Sequence, residues 1–98
     1  MAKPLEDDEL TAALGELDNW RVEDGHLARE VRTAPGDAPT LVERVGVAAD
    51  QMDHHPVVHV SGDQVRFTVW SHSVDAITSN DVTLANRIDD IVRDSGGG

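Results

Sequence analysis

The chain has 98 residues, which suffice for one small domain with a modest core and leave no room for a second domain of ordinary size. Its formal net charge of −11 argues against nucleic acid or an anionic membrane as a direct partner, because both bind to a basic surface. The sequence has no cysteine, no apolar run that could span a membrane and no segment like a secretory leader, which excludes thiolate chemistry and predicts a cytoplasmic protein.

The first half of the chain predicts a short helix followed by a β-hairpin. The helix begins at Asp7 and Asp8, whose charges suit the positive end of the helix dipole, and its apolar residues recur at spacings of three and four. Residues 20–23 and 26–32 have the pattern of two strands. The dipeptide between them, Asp24-Gly25, favours the tight turn of a hairpin.

The second half predicts a longer helix, a second hairpin and a last helix. The long helix begins within residues 37–40 and ends before Pro56, because proline cannot continue it. Strands at 57–61 and 64–70 follow, and the alternation of apolar and polar residues in the second strand predicts a sheet that is buried on one face. The last helix covers residues 81–93.

The resulting order, α-β-β-α-β-β-α, predicts an α+β fold, with a four-stranded antiparallel sheet and helices packed on one of its faces. We expect a single domain over residues 1–98, with disorder at 1–6 and 95–98. The small core and the unpaired edges of the sheet favour a homodimer or a homotetramer.

Histidine is concentrated around the second hairpin. His54 and His55 end the long helix, and His72 follows His54 by eighteen residues, just past the second strand. If antiparallel pairing continued to the ends of this hairpin, His55 would lie level with Trp70 and Asp53 level with His72. We therefore expect the three histidines to gather at one end of the hairpin.

Carboxylates accompany these histidines. Asp50 precedes His54 by one helical turn and Asp53 adjoins it, so either could orient an imidazole by accepting an N–H bond. Asp81, at the start of the last helix, is expected to face the same space. His59 lies on the strand face opposite its apolar neighbours, and we expect it to face solvent.

Spacing alone leaves four hypotheses for this cluster. Two imidazoles, whose free pKa is ~6.5, could divide the roles of acid and base in a dehydration near neutral pH. His54 or His55 could instead bind zinc with His72 and a carboxylate, although the His-x-x-x-His spacing of helical zinc ligands is absent. The domain could also be a binding or assembly module, or these residues could form a solvated helix end without a site.

A family resemblance favours the catalytic hypothesis. The run Asp50-x-x-Asp53-His54-His55-Pro56, then His72, then Thr78-x-x-Asp81 at the start of the last helix resembles the pterin-4a-carbinolamine dehydratase family. The similarity extends back to Trp20 and to the order of elements, so it covers nearly the whole domain. It implies removal of water from a 4a-hydroxytetrahydropterin, a small-molecule partner, to give the quinonoid dihydropterin, without metal or bound cofactor.

The resemblance also implies roles for single residues. His54 and His72 would be the acid/base pair, and His55 would hold the pterin. Asp50 would orient an imidazole, and Asp81 would close the pocket, which makes these two and Asp53 the candidate substrate-binding carboxylates.

The resemblance also indicates an alternative function. Relatives of these enzymes also serve as dimerisation cofactors and assembly chaperones, so the alternative function is a non-catalytic, dehydratase-like assembly or regulatory binding module.

The chain also differs from the family pattern. It has Val58 and Gly62 where the family often carries aromatic residues, and Trp70 is unusual just before the last histidine. We expect these differences, with those in the loop at Val74 and Ala76, to change the shape of the pocket.

Overall fold

A computed structural model describes residues 3–95, and the elements within this range follow the predicted order. The helices are α1 (Asp7–Leu14), α2 (Ala38–Met52) and α3 (Ser79–Asp94), and the strands are β1 (Arg21–Glu23), β2 (His26–Arg32), β3 (Val57–Ser61) and β4 (Gln64–Val69). The strands form one antiparallel sheet in the order β1-β2-β4-β3. The α+β class and the order α-β-β-α-β-β-α are therefore confirmed.

The predicted turns have the backbone geometry that hairpins require. Asp24 and Gly25 take φ values of 53° and 76°, and Gly62 has a φ of 60°. Positive φ at the centre of a two-residue loop matches the twist of the flanking strands. The β3–β4 register starts at Ser61 opposite Gln64, so this turn also fixes which residues of β3 and β4 lie side by side.

The ends of the chain are described in part. Residues 1–2 and 96–98, which were expected to be disordered, lie outside the described residues. Leu5, expected to be disordered as well, donates its N–H to the carbonyl of Ile77 at 2.9 Å and packs against the core. Within residues 3–95, every helix is too short or too polar to cross a membrane.

The core lies between the sheet and the two longer helices. Val65, Phe67 and Val69 of β4 are completely buried, as their alternation predicts. Helices α2 and α3 both contact β4 and pack against each other. Val57 and Val60 remain exposed because β3 is an edge strand of the sheet.

One charged side chain interrupts this apolar interface. Arg29 lies on the helix-facing side of β2 and is only 5 % exposed. Its Nη1 donates to Oδ1 of Asp89 on α3, and the same oxygen accepts the indole N–H of Trp20 at 2.8 Å. A single carboxylate therefore joins β2, α3 and the segment that precedes β1.

We expect Asp89→Ala to lower the free energy of unfolding by about 3 kcal/mol, because it leaves the buried guanidinium of Arg29 without a counter-charge. Urea denaturation at neutral pH measures the change. Asp90→Ala is the matched control, since Asp90 is exposed and, among residues 3–95, forms its one ion pair with exposed Arg93 on the same helix. That control should stay within about 0.5 kcal/mol of wild type, and equal losses in both variants would contradict a structural role for the buried pair.

Candidate active site

A cleft of about 660 Å³ opens at the end of the β3–β4 hairpin that is remote from its turn. His54, His55 and His72 all line this cleft, and Asp53 and Ser71 lie beside them. The three histidines therefore share one cavity, although they come from the end of α2 and from the segment after β4.

The end of α2 places the first two histidines. Asp53 caps the helix in the left-handed region, at φ 51° and ψ 43°, and the N–H of His54 donates to the carbonyl of Ala49 at 3.0 Å. Because of this turn and the missing N–H of Pro56, the β3–β4 ladder begins only at Val57, which lies opposite Thr68. Antiparallel pairing therefore does not continue as far as His55 and Trp70, or Asp53 and His72.

His54 is held by a buried carboxylate. Its Nε2 hydrogen-bonds to Oδ1 of Asp81, and the His54 side chain is 16 % exposed, while that of Asp81 is 0 % exposed. Asp81 was expected to contact a substrate as part of the pocket wall. Complete burial denies it that contact and places it behind His54, where it can orient the imidazole.

The other oxygen of Asp81 is satisfied by the protein. Its Oδ2 accepts the backbone N–H of Thr78 at 2.8 Å and the hydroxyl of Ser71 at 2.9 Å. Thr78 is the N-cap of α3, and its side chain accepts in return to complete a capping box with Asp81. Ser71 gave no sequence signal, because its contact depends on the loop that folds it back against Ala76.

His55 is placed more loosely. Its Nε2 lies 3.0 Å from Oδ1 of Asp50, one turn earlier on α2, and the two side chains are 59 % and 74 % exposed. A pair this open to solvent gains little from its Coulomb attraction. Asp50 therefore orients His55 rather than His54, and it does so weakly enough for His55 to turn towards a ligand.

His72 is held by stacking. Its ring lies nearly parallel to that of Trp70, with centroids 4.1 Å apart and an angle of 17° between the planes. Sequence reasoning did not assign Trp70 to the site, although two residues spaced by two near the end of a strand point to the same side. The indole gives this otherwise exposed histidine a fixed neighbour.

The zinc hypothesis requires His54 or His55 to converge with His72 and a carboxylate on one metal ion. Among residues 3–95, no group of three histidine, aspartate or glutamate side chains is arranged to hold a metal ion. The carboxylates near the cleft instead pair with single imidazoles, Asp81 with His54 and Asp50 with His55.

Comparisons with known proteins agree on one family. The family model described as "Pterin 4 alpha carbinolamine dehydratase" matches residues 3–91. A Mycobacterium avium protein, provisionally named a pterin-4-alpha-carbinolamine dehydratase, is 38 % identical over 89 residues, which cover 90 % of this chain and 95 % of that protein. A Mycobacterium leprae protein with the same provisional name is 36 % identical over 96 residues, covering 92 % and 97 %.

A solved structure is similar along nearly its whole length. The crystal structure of a "transcriptional coactivator/pterin dehydratase" from Brucella melitensis matches with a TM-score of 0.87 and 25 % identity. The match covers 91 % of this chain and 98 % of the Brucella chain.

We expect Asp81→Ala to lower the free energy of unfolding by about 2–4 kcal/mol, because Ser71 and the N-terminus of α3 lose their buried acceptor. Asp50→Ala is the matched control, since it removes the carboxylate of the exposed pair with His55, and it should change stability by less than about 0.5 kcal/mol. Urea denaturation of both variants checks the difference. A loss for Asp81→Ala no larger than that of the control would show that the buried carboxylate does not organise this region.

Proposed function

This chain belongs to the pterin-4a-carbinolamine dehydratase family, and we propose that it removes water from a 4a-hydroxytetrahydropterin by histidine acid/base catalysis. One observation carries the proposal: His54, oriented by the buried Asp81, and His72, oriented by stacking, line the same cleft. The names of the relatives from Mycobacterium support the same substrate class.

The reaction needs two proton transfers and no change of oxidation state. A proton delivered to the 4a-hydroxyl turns a poor leaving group into water, and the bond from C4a to that oxygen breaks as the lone pair of N5 forms the C4a=N5 bond. Removal of the proton on N5 then gives the neutral quinonoid dihydropterin. Two imidazoles can supply and accept these protons near neutral pH.

The contacts of His54 suit the role of base. Oδ2 of Asp81 accepts from the hydroxyl of Ser71 and from the backbone N–H and hydroxyl of Thr78, so the carboxylate acts as an acceptor, and its Oδ1 is matched by an N–H on Nε2 of His54. A neutral imidazole with its proton on Nε2 keeps a lone pair on Nδ1. That nitrogen can take the proton from N5 of the pterin, and the charge that develops on the ring is stabilised by Asp81.

His72 is then the proton donor to the hydroxyl. It lies in the same cleft and its ring is exposed, and among residues 3–95 no carboxylate pairs with it as Asp81 and Asp50 pair with His54 and His55. His55 and Asp53, both exposed at the cleft, are left to hold the polar edge of the pterin, with Asp50 behind His55.

A regulatory or assembly function is the second candidate. The Brucella relative is named a transcriptional coactivator as well as a pterin dehydratase. In this chain, the edge strand β3 exposes Val57 and Val60 next to an unpaired row of backbone groups, which suits association with another chain. The proposed homodimer or homotetramer would use the same kind of surface. A stable complex with a partner protein, without turnover of any 4a-hydroxypterin, would favour this candidate over the enzyme.

We expect His54→Ala and His72→Ala each to lower kcat for dehydration by ~10²–10⁴-fold, the usual contribution of a general acid or base. The assay follows formation of the quinonoid dihydropterin from a 4a-hydroxytetrahydropterin on purified protein. His59→Ala is the matched control, because His59 is an exposed histidine of β3 outside the cleft.

The control should keep the wild-type rate, and all three variants should keep the circular dichroism spectrum of the folded protein. Wild-type turnover in both cleft variants would exclude the proposed mechanism, and absence of turnover in the wild-type protein would exclude the proposed activity.

A further inference from the structure

Trp70 lies in contact with two imidazole rings, and we propose that His26 is a positioning residue that acts through Trp70 to fix the ring of His72 in the cleft. The three side chains, His26, Trp70 and His72, are called the aromatic stack below. The effect of the stack on the rate of catalysis rests on the proposed function, whereas its effect on the orientation of His72 does not.

The rings of the aromatic stack are close and nearly parallel. The centroids of His26 and Trp70 are 3.9 Å apart with 11° between the planes, and those of Trp70 and His72 are 4.1 Å apart with 17°. At these distances the rings touch along their faces, so a rotation of the indole about its χ angles would collide with an imidazole. The position of each ring therefore depends on the next.

The fold brings the stack together from two strands. The β2–β4 ladder pairs Leu27 with Val69, so the next rung beyond that pair places His26 beside Trp70. These two side chains point away from the helices, opposite to the buried Leu27 and Val69. His72 follows Trp70 by two residues, which carries the stack from the open face of the sheet to the cleft.

His26 also contacts the loop that carries His72. Its Nε2 lies 3.9 Å from Oδ1 of Asp75, and the N–H of Asp75 donates to the carbonyl of His72 at 3.4 Å. Asp75 takes a φ of 49°, a left-handed conformation that the loop closed by Ser71 and Ala76 imposes on it. His26 thus affects the position of His72 in two ways. It contacts the indole of Trp70, and it contacts, more weakly, the exposed carboxylate of Asp75.

The two proposed proton-transfer residues differ in what holds them. Asp81 fixes His54 by a hydrogen bond to its buried carboxylate. Within residues 3–95, the imidazole of His72 has no hydrogen-bonding partner, so its face-to-face contact with Trp70 is the interaction that restrains it. Loss of the indole, or of the imidazole that supports the indole, should therefore misplace His72 and leave His54 in position.

Proton NMR of the histidine rings tests the orientation directly. The indole ring current should shift the imidazole resonances of His26 and His72, identified by their loss in His26→Ala and His72→Ala. We expect the shift of His72 to disappear in Trp70→Ala, to fall markedly in His26→Ala, and to return in His26→Phe, which restores a flat ring. His59→Ala, an exposed histidine on the same open face, should leave the resonance of His72 unchanged.

Steady-state kinetics tests the consequence for catalysis. We expect Trp70→Ala and His26→Ala to lower kcat roughly 10- to 100-fold with little change in KM, since displacement of a reacting group by ~1 Å can cost ~100-fold. His26→Phe should recover most of kcat, because stacking rather than charge is the feature required of this residue.

The outcomes separate this inference from the proposed function. A His72 shift that persists in Trp70→Ala, or a wild-type shift and kcat in His26→Ala, would overturn the positioning role of the stack. If the wild-type protein shows no turnover, the proposed function fails, and the NMR shifts still decide whether His26 and Trp70 orient His72.

Discussion

The carboxylate of Asp81 is the constraint on which the rest of the site depends. It is completely buried, and it accepts from the N-terminus of α3, from Ser71 after β4 and from His54 at the end of α2. A buried charge is tolerated only when hydrogen bonds replace its lost hydration. These three donors therefore have to converge, and in converging they fix the relative positions of two helices and the segment that leads to His72.

The site combines rigid and loose parts in a way that suits the proposed chemistry. His54 is fixed by a hydrogen bond to a buried carboxylate, while His55 pairs with an exposed aspartate and can adjust to a ligand. A base must be held in one orientation to take a proton efficiently, whereas a group that binds the edge of a substrate gains from adaptability. His72 lies between these extremes, since stacking restrains the plane of its ring and, within the described range 3–95, no residue hydrogen-bonds to its nitrogens.

Charged residues on the two faces of the sheet differ in burial and in structural role. On the helix side, Arg29 is buried and depends on Asp89, so its pairing is structural. On the open face, Arg21, Glu23, Glu30 and Arg66 form a network in which a hydrogen bond from Arg66 lowers the pKa of Glu23. Those groups are exposed and solvated, so the network does little for stability. It does keep the uncovered face of a strongly acidic chain from being apolar, which limits unspecific association.

The order of the elements and the gathering of three histidines at one cleft were predictable from local sequence signals. Helical and strand periodicities, the Asp24-Gly25 turn and the stop at Pro56 are local signals, so the order of elements and the register of the second hairpin followed from them. The spacing of His54 and His72 across that hairpin also sufficed to place them at one end of it. Thr78 and Asp81 form a capping box at the start of α3, a local contact between residues three apart in the sequence.

Tertiary structure alone decided what each polar group touches. Asp81 was expected at the surface of the pocket and lies buried behind His54, because His54, Ser71 and Thr78 surround its carboxylate. Ser71 contacts Asp81 through a loop that local rules do not describe, and His26 contacts Trp70 from another strand. Such contacts join residues far apart in sequence, and their partners are set only when the sheet has closed and the helices have docked upon it.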